Sequence, residues 1–344
     1  MKKSFLVVLM CAVTGIMSAQ MVHDNEVAVV FYMPQTQLCF DVDYEEVILH
    51  KGPFAEYAEQ YLGATDIIEE DATSFHITGV RPHATAVADY TRAYKVLAER
   101  GVESQLLSWT CFGTLRGYNI PLPQHDKKPA PKTDNQAEAF ERPAVLPLLE
   151  EHINGKSLEQ QAQGAAKLIY RIRENRMYLI GGEVDKLPAD GQAMQLVLDE
   201  LNKQERQLVE LFIGYREVKK HTQTLSYTPV KTEEVELGFF SEKEGFTTGS
   251  GEPILLNITA RRQTKGNSRP DADKKAPAPS QIYYNLPGSA NYRVIYLDET
   301  LVEKNTPIAQ FGIAVPLSKE LFTGPELPHI YFDILTGNIK SIEK

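Results

Sequence analysis

The sequence contains few of the residues that would announce a particular chemistry. Its 344 residues include only three cysteines and one tryptophan, and 46 acidic side chains outnumber 36 basic ones for a formal charge of −10. Nucleic-acid grooves and anionic lipid surfaces both select basic proteins, so the acidic balance argues against either partner. The length suggests about two domains, because single hydrophobic cores stop growing near roughly 250 residues.

Established catalytic and cofactor-binding motifs are also missing. The sequence has no GxSxG, HExxH, GxGxxG or P-loop pattern, and its eight histidines include no pair at metal-binding helical spacing. We therefore expect no cofactor and no metal, and favour a protein that is not an enzyme. The alternative is a hydrolase whose residues meet only in the fold, for which the first candidates are Ser250, His329, Asp333, Glu183 and Asp185.

The first 19 residues have the layout of a secretory signal peptide. Lys2 and Lys3 precede an apolar stretch at 5–17, and Ala19 supplies a small residue for cleavage. That stretch is shorter than the roughly 20 residues a membrane-spanning helix needs, and no later apolar run is longer. We predict an exported protein, periplasmic or associated with the outer membrane, with no transmembrane segment in the mature chain.

Two cysteines would remain after such cleavage. Cys39 and Cys111 both lie in strand-like runs. An oxidising compartment permits a disulfide between them. The competing interpretation is that both are small buried hydrophobic side chains, and the sequence leaves the choice open.

Composition divides the rest of the chain. Six of the 20 prolines fall within 121–147, interleaved with lysines, which is typical of an extended linker. Alternating apolar and polar residues on both sides of the middle region predict strands. We predict a signal peptide over 1–19, a β-rich domain over 20–120, a Pro/Lys-rich linker over 121–147, a helical hairpin over 148–214 and a second β-rich domain over 215–344. The sequence leaves open whether the two β-rich parts form one body or two.

Two amphipathic helices are the clearest local signal. Ser157 and Gln160 form a capping box before the first helix, which should end at the glycine pair 181–182. Asp190 can cap the second helix, which should end at Gly214. The short connection favours an antiparallel hairpin. The predicted fold class is α+β, with predominantly antiparallel β-rich parts flanking a long antiparallel helical hairpin.

A run of arginines in the first helix is one candidate binding site. Arg171, Arg173 and Arg176 could recognise a carboxylate or phosphate on a ligand or partner, because guanidinium groups bind such anions in a bidentate manner. The competing interpretation is pairing with glutamates of the second helix, namely Glu200, Glu205 or Glu210.

The loop between the helices is a second candidate. Glu183, Asp185 and Asp190 could gather around a Ca²⁺ ion, although they lack the spacing of an EF-hand. A solvated acidic loop with one helix cap explains the same residues.

Aromatic residues near the N-terminus allow a third interpretation. Phe54, Tyr57 and Tyr61 could stack on sugar rings, which would make the chain a glycan-binding or small-ligand-binding protein. Their helical spacing equally fits a stripe facing a core.

Two segments show a faint similarity to each other. FYMP at 31–34 is followed by an alternating strand, and so is YNLP at 284–287. One interpretation is a duplicated β-unit, and the other is a common local pattern that occurs twice.

Short motifs spread along the chain resemble one known family. They are YMPQT (32–36), GPF (52–54), YAEQYLG (57–63), IYRIRENR (169–176), LPADG (187–191), SGEP (250–253), YYNLP (283–287) and AQFG (309–312). They are similar to an uncharacterised exported family, domain of unknown function 4831, from Gram-negative anaerobes of the gut and mouth. The sequence departs from the expected pattern at Met33 and Gln35. The resemblance implies export and a shared architecture, and it supplies no reaction.

These observations together predict a non-catalytic protein of the cell envelope. A protein without a catalytic motif, exported and carrying a helical projection, is suited to bind or assemble with another envelope protein. The alternatives are the hydrolase assembled only in the fold and the glycan-binding or small-ligand-binding protein.

Overall fold

The computed structural model of the chain describes residues 28–97, 106–121, 148, 156–183, 190–262, 281–323 and 325–343. The predicted signal peptide, and all but the first residue of the predicted linker, lie outside these residues. Strands outnumber helices in the described part, and the strand pairs of each sheet are antiparallel. The predicted α+β class with mostly antiparallel sheets is confirmed.

The described elements are long strands interrupted by a helical region. The strands are β1 (Ala28–His50), β2 (Ala72–Leu97), β3 (Leu107–Trp109), β4 (Leu115–Tyr118), β5 (Tyr215–Tyr227), β6 (Glu233–Ser241), β7 (Gly245–Thr247), β8 (Glu252–Arg262), β9 (Tyr283–Tyr296), β10 (Glu299–Pro316), β11 (His329–Phe332) and β12 (Ile339–Glu343). The helices are α1 (Ala58–Leu62), α2 (Leu158–Gly181) and α3 (Gly191–Ile213), with 3-10 turns at Ala55–Tyr57 and Lys319–Phe322.

Three sheets organise these strands. Sheet A has the order β2-β1-β5, sheet B has β10-β9-β8-β6-β7, and sheet C has β12-β11-β4-β3. Sheets A and C each combine strands from before and after the helices. The two predicted β-rich domains, 20–120 and 215–344, therefore share sheets, because a strand pairs with whichever edge lies beside it in space rather than in sequence.

The main core lies between sheets A and B. Leu38, Phe40 and Val42 alternate with polar neighbours along β1, and all three are buried, as that alternation predicts. The Phe40 ring meets Tyr292 of β9 edge-on, with centroids 5.5 Å apart. Each buried side chain of this size contributes about 1.5–3 kcal/mol, so this interface is a main source of stability.

A second core joins sheet C to the first part of β1. Phe31 and Met33 are buried there together with Tyr118 of β4 and Ile330 of β11. The Tyr118 ring packs edge-on against Phe322, which lies in the 3-10 turn after β10. β1 thus runs from the core of sheet C into the core between sheets A and B.

The two similar sequence segments occupy similar positions in the structure. Pro34 lies in β1 and Pro287 in β9, and the partner strand bulges beside each proline. Residues 90–92 of β2 and 309–312 of β10 have no register partner. Extra residues of this kind bend a strand and increase its twist. Both segments therefore belong to a long β-hairpin with a bulge near its proline.

The helical region begins and ends as its local signals predict. Ser157 accepts a hydrogen bond from the Gln160 amide and the Gln160 side chain accepts one from Ser157, which completes the capping box. Gly182 ends α2 in the left-handed conformation, and Gly214 follows α3. Two long helices over this segment are therefore confirmed.

The core of the helices includes residues of the predicted N-terminal domain. Phe54 and Ala58 are buried against α2 and α3. A Cβ at Gly52 would lie 2.4 Å from the Leu211 carbonyl oxygen, so the chain passes too close to α3 for any side chain there. No helix among the described residues is both long enough and apolar enough to span a bilayer.

Candidate functional site

Side chains of α3 bind two of the three arginines in α2. Arg173 and Arg176 lie three residues apart and share a face of α2. Arg173 Nε lies 2.6 Å from Glu205 Oε1, and Arg176 Nη1 lies 2.5 Å from Glu205 Oε2. Arg176 also donates to Asn202, while Arg171 lies on an exposed face. Two of the three arginines are therefore part of the scaffold, and an anionic ligand would have to displace Glu205.

The ionisation of Glu205 reflects this pairing. Burial of its carboxylate opposes ionisation, but hydrogen bonds from Arg173 and Arg176 outweigh the burial and hold the pKa of Glu205 below its ordinary value. The carboxylate consequently stays charged and keeps the two helices paired across the ordinary pH range.

The acidic loop does not gather its carboxylates in the described residues. Asp190 caps α3, with Oδ1 accepting the Ala193 amide at 2.8 Å. Glu183 is exposed just after α2, and Asp185 lies outside the described residues. In the described part of the chain no three His, Cys, Asp or Glu side chains are grouped to hold a metal ion.

The three aromatics proposed as a sugar platform face the helical core. Phe54 is completely buried and its ring lies 5.4 Å from that of Phe212 in α3. Tyr57 and Tyr61 are partly buried against the same core. Phe54 therefore offers no face to a ligand, and the helical spacing of the three rings reflects their packing against this core.

The two cysteines are both free, so the disulfide that the sequence left possible is not formed. Cys39 is buried in β1, where its sulfur lies 3.6 Å from the Thr85 hydroxyl of β2. Cys111 is exposed in the turn between β3 and β4. Burial is confirmed for Cys39 and wrong for Cys111, because the turn carries the second thiol outward.

The residues named for a hydrolase make separate contacts. Ser250, in the turn before β8, donates its hydroxyl to the Glu244 carboxylate, with 3.1 Å between the two oxygens. His329 Nδ1 contacts the Asn119 carbonyl, and Asp333 accepts backbone amides of its own turn. Among the described residues, Ser250, His329 and Asp333 thus each contact a different partner, and no hydrogen bond joins them in a serine–histidine–carboxylate relay.

A groove of about 930 Å³ lies between β2 and sheet C. Three consecutive residues of β2, 84–86, line it. Successive strand residues face opposite sides of a sheet, so the groove follows the strand's edge rather than one of its faces. β2 is the outer strand of sheet A, and the only strand partner of residues 84–86 in the described chain is β1. Backbone groups of β2 therefore face the groove.

Two turns of sheet C form the opposite wall. In the turn at 110–114, the Thr110 amide donates to the Thr114 carbonyl at 2.9 Å and the two threonine side chains meet at 2.7 Å. Gly113 takes a left-handed φ of 80° there. The turn leaves Phe112 55% exposed beside Cys111, both on the groove wall.

The second turn, at 333–338, is closed by Asp333. Its Oδ1 accepts the amides of Leu335 at 2.8 Å and Thr336 at 2.9 Å. Ile334, at the tip, remains 49% exposed and lines the groove. Asp333 is thus committed to the turn, and Lys340 and Arg116 are the other charged residues of the lining.

A buried polar cluster holds this turn beside β2. Asn285 of β9 donates to the Thr336 carbonyl at 2.7 Å and to the Ala309 carbonyl at 2.8 Å. Thr36 of β1 donates its amide to Gln310, and its hydroxyl accepts the Ala309 amide. We call Thr36, Asn285, Ala309 and Gln310, together with Arg92, the polar cluster. It ties both bulged hairpins to the groove wall.

Arg92 completes the cluster from the bulge of β2. It pairs with Asp89 at 2.8 Å and donates to the Pro34 carbonyl at 2.9 Å. Burial opposes ionisation of Asp89, but hydrogen bonds from Thr91 and Arg92 outweigh it, so the pKa of Asp89 lies below its ordinary value. The two bulges therefore exchange contacts, since Arg92 also reaches Asn285 at 3.4 Å.

The groove was not predicted from the sequence. Its residues come from β2, from the turn after β3 and from the turn after β11, and no local pattern links these segments. Thr36, Asn285 and Gln310 do lie in three of the motifs quoted above. Each of these three residues belongs to one of the short family-like motifs, and this was the only sequence feature that they shared. Their contact with one another is created by the fold.

Comparisons with known proteins identify a family and nothing more specific. A family model described as Domain of unknown function (DUF4831) matches residues 27–340. No curated protein and no solved structure matches the chain.

Proposed function

The chain belongs to the DUF4831 family, a description that names no reaction, and from its geometry we propose that it is a non-catalytic, exported binding component of the cell envelope. The groove along β2 is the observation that carries the proposal. Its occupant would be an extended polypeptide segment of another envelope protein.

The edge of β2 is suited to pair with such a segment. Residues 84–86 bond to β1 on one side and face the groove on the other. An extended peptide placed there can add as a further strand, with main-chain hydrogen bonds providing affinity. Ala84 and Ala86 are small, so they leave room for a neighbouring backbone.

The walls favour alternating apolar side chains on the partner. Phe112, Ile334 and Leu335 line the groove, and most of its lining surface is apolar. Alternate residues of an added strand point the same way and can enter such a wall, while the others face solvent. Lys340 is exposed at this site and favours a partner segment that carries a carboxylate.

Export and the helices fit the same proposal. The basic and apolar segments at the N-terminus support secretion, which would place the groove among envelope proteins. The α2–α3 pair would act as a stiff antiparallel hairpin that presents a separate face. Catalysis is the weaker interpretation, because the carboxylate of the groove, Asp333, is bound to the backbone amides of its own turn.

Peptide binding tests the proposal directly. We would screen peptides of about ten residues, tiled across the envelope proteins of the source bacterium, for binding to the purified protein. We expect binders with alternating apolar residues, and we expect them to slow alkylation of Cys111 in the groove. Binders that leave Cys111 alkylation unchanged, or peptides that are cleaved, would overturn the proposal.

A pair of variants separates the groove from general surface stickiness. Ile334→Asp introduces a charge at the groove wall, where the side chain is 49% exposed, and should weaken peptide binding at least about tenfold. Val230→Asp makes the same kind of change at a 67% exposed position outside the groove lining and should leave binding unchanged. Equal effects would contradict the groove as the binding site.

A further inference from the structure

The outer half of the helical pair buries none of its side chains. All buried residues of α2 lie at or before Ile169, and those of α3 at or after Leu208. We call residues 170–181 and 191–207 the distal half. No residue in it is buried. At 1.5 Å per residue it extends about 18 Å beyond the buried part of α2.

Large apolar side chains nevertheless continue into the distal half of α2. From the buried Ala166 they follow at spacings of four, seven and three residues, as Tyr170, Met177 and Ile180. These spacings keep them on one face of a helix. Their exposed fractions are 50%, 70% and 66%. The apolar stripe of α2 therefore begins in the hydrophobic core and ends in solvent-exposed side chains.

The same pattern runs along α3. From the buried Leu208 it continues outward through Leu201, Val197 and Met194, at spacings of seven, four and three residues. Val197 is 39% exposed, and Leu201 and Met194 are half-buried. We call these three residues together with Tyr170, Met177 and Ile180 the distal stripe.

The segments that pack on the apolar face of α2 and α3 extend only as far as Tyr170. In the inner half, α1 and the 3-10 turn before it lie on α2 and α3, and Phe54 fills the space between them. The Tyr170 hydroxyl donates to the Tyr61 carbonyl, 3.0 Å away, near the end of α1. No member of the distal stripe belongs to the hydrophobic cluster that the described residues form around the inner half.

We propose that the distal stripe binds the same stripe of a second copy of this chain. The exposed stripe amounts to roughly 500 Å² per copy, the size of the largest apolar patch on a typical monomer. Two copies packed face to face would bury at most about 1,000 Å², which is the lower limit for a specific interface and fits a weak dimer. A two-fold axis places identical patches together, and two helix pairs then form a four-helix bundle.

The charges beside the stripe are compatible with burial. No member of the distal stripe is charged, which is typical of an interface core. Arg173, three residues after Tyr170 and four before Met177, lies on the same face, over the Tyr170 ring at 5.6 Å, and it shares the single carboxylate of Glu205 with Arg176. The three groups carry a net charge of +1, and both guanidinium groups, with 42% and 28% of their side chains exposed, can stay hydrated at the rim of the interface.

Sedimentation velocity of the purified protein between 1 and about 100 μM tests the proposal. We expect a concentration-dependent dimer, and expect Met177→Glu to weaken it at least about tenfold because a carboxylate would be buried in the interface. A wild-type protein that remains monomeric throughout would overturn the proposal, as would a Met177→Glu dimer as tight as wild type. Met177 is 70% exposed, so a normal thermal melt should show that the variant folds.

Leu196→Glu is the matched control. Leu196 is 71% exposed on α3, but it lies one residue from Val197 and two from Met194, spacings that place it off the stripe. The dimer should survive this change with unaltered affinity. If Leu196→Glu weakens association as much as Met177→Glu, the assigned face is wrong.

Discussion

Thr36 and Gln310 lie 274 positions apart in the sequence and exchange two hydrogen bonds in the interior. The Gln310 carboxamide accepts the Thr36 amide at 2.8 Å and donates to the Thr36 carbonyl at 2.9 Å. β5 pairs with β1 only as far as Leu38, so this edge of Thr36 has no strand beside it. The Gln310 side chain there supplies the two hydrogen bonds that a neighbouring strand would otherwise make to the Thr36 backbone.

Gln310→Leu should therefore destabilise the fold. The change leaves the amide and carbonyl of a residue that is 1% exposed without partners, at a cost of about 2–4 kcal/mol in the free energy of unfolding. Urea denaturation measures the loss. Gln223→Leu, on the exposed face of β5, is the control and should stay within about 0.5 kcal/mol. Similar losses in the two variants would contradict the role of Gln310.

Gly312→Ala should be more disruptive than a methyl group usually is. A Cβ at Gly312 would lie 1.9 Å from the Leu286 carbonyl oxygen, so β9 and the bulge of β10 would have to move apart. We expect a loss of about 3 kcal/mol or more, measured by thermal melting. Gly79→Ala in β2 has no atom within 4 Å of the new Cβ and should melt close to wild type. A harmless Gly312→Ala would show that the bulge can relax.

The ion pair between Asp89 and Arg92 predicts a dependence of stability on pH. The pKa of Asp89 is lowered from its ordinary value of 3.8, so the unfolded chain takes up the proton more readily. The stabilisation is present above pH 3.8 and is lost as the pH falls through the lower folded value.

Asp89→Asn tests this dependence, because the amide cannot titrate. The free energy of unfolding should fall less steeply for Asp89→Asn than for wild type between pH 5 and the acid limit of folding, as measured by urea titration. Asp66→Asn, at an exposed position, is the control and should keep the wild-type slope. An unchanged slope in Asp89→Asn would mean that other groups carry the acid response.

The two free thiols should react at very different rates. Cys111 is exposed in the wall of the groove, whereas Cys39 is 6% exposed in β1. Iodoacetamide should modify Cys111 in the folded protein and Cys39 only in denaturant, because a buried thiol must wait for the sheet to open. Peptide mass spectrometry distinguishes the two sites. Rapid modification of Cys39 under native conditions would contradict its burial.

The helix boundaries could be predicted because their causes are local. Ser157, Gln160 and Asp190 cap helices through side chains within three residues, and Gly182 ends α2 through its own φ. The buried alternation of β1 was readable for the same reason. The choice of Glu205 over Glu200 or Glu210 as the arginine partner was left open, because it depends on the relative rotation of two helices.

The groove and the pairing of strands within the sheets could not be predicted from local sequence features. β5 and β1 were assigned to different β-rich parts, and whether these form one body or two was left open; the two strands are neighbours in sheet A. Residue type left open whether Cys39 and Cys111 are buried and whether Phe54 faces solvent; Cys39 and Phe54 are buried, and Cys111 is exposed. Burial depends on what covers a side chain, and that cover comes from segments far away in the sequence.

The sequence by itself determined the class of fold, the two capped helices, the alternation of the first strand and the family, because composition, periodicity and capping act over a few residues. The tertiary structure alone decided which arginines are occupied, which thiol is exposed, and where the described residues leave an edge strand and an apolar helix face uncovered. Those outcomes require contacts between distant segments, such as that of Thr36 with Gln310 across 274 positions, and no local pattern encodes which segments will meet.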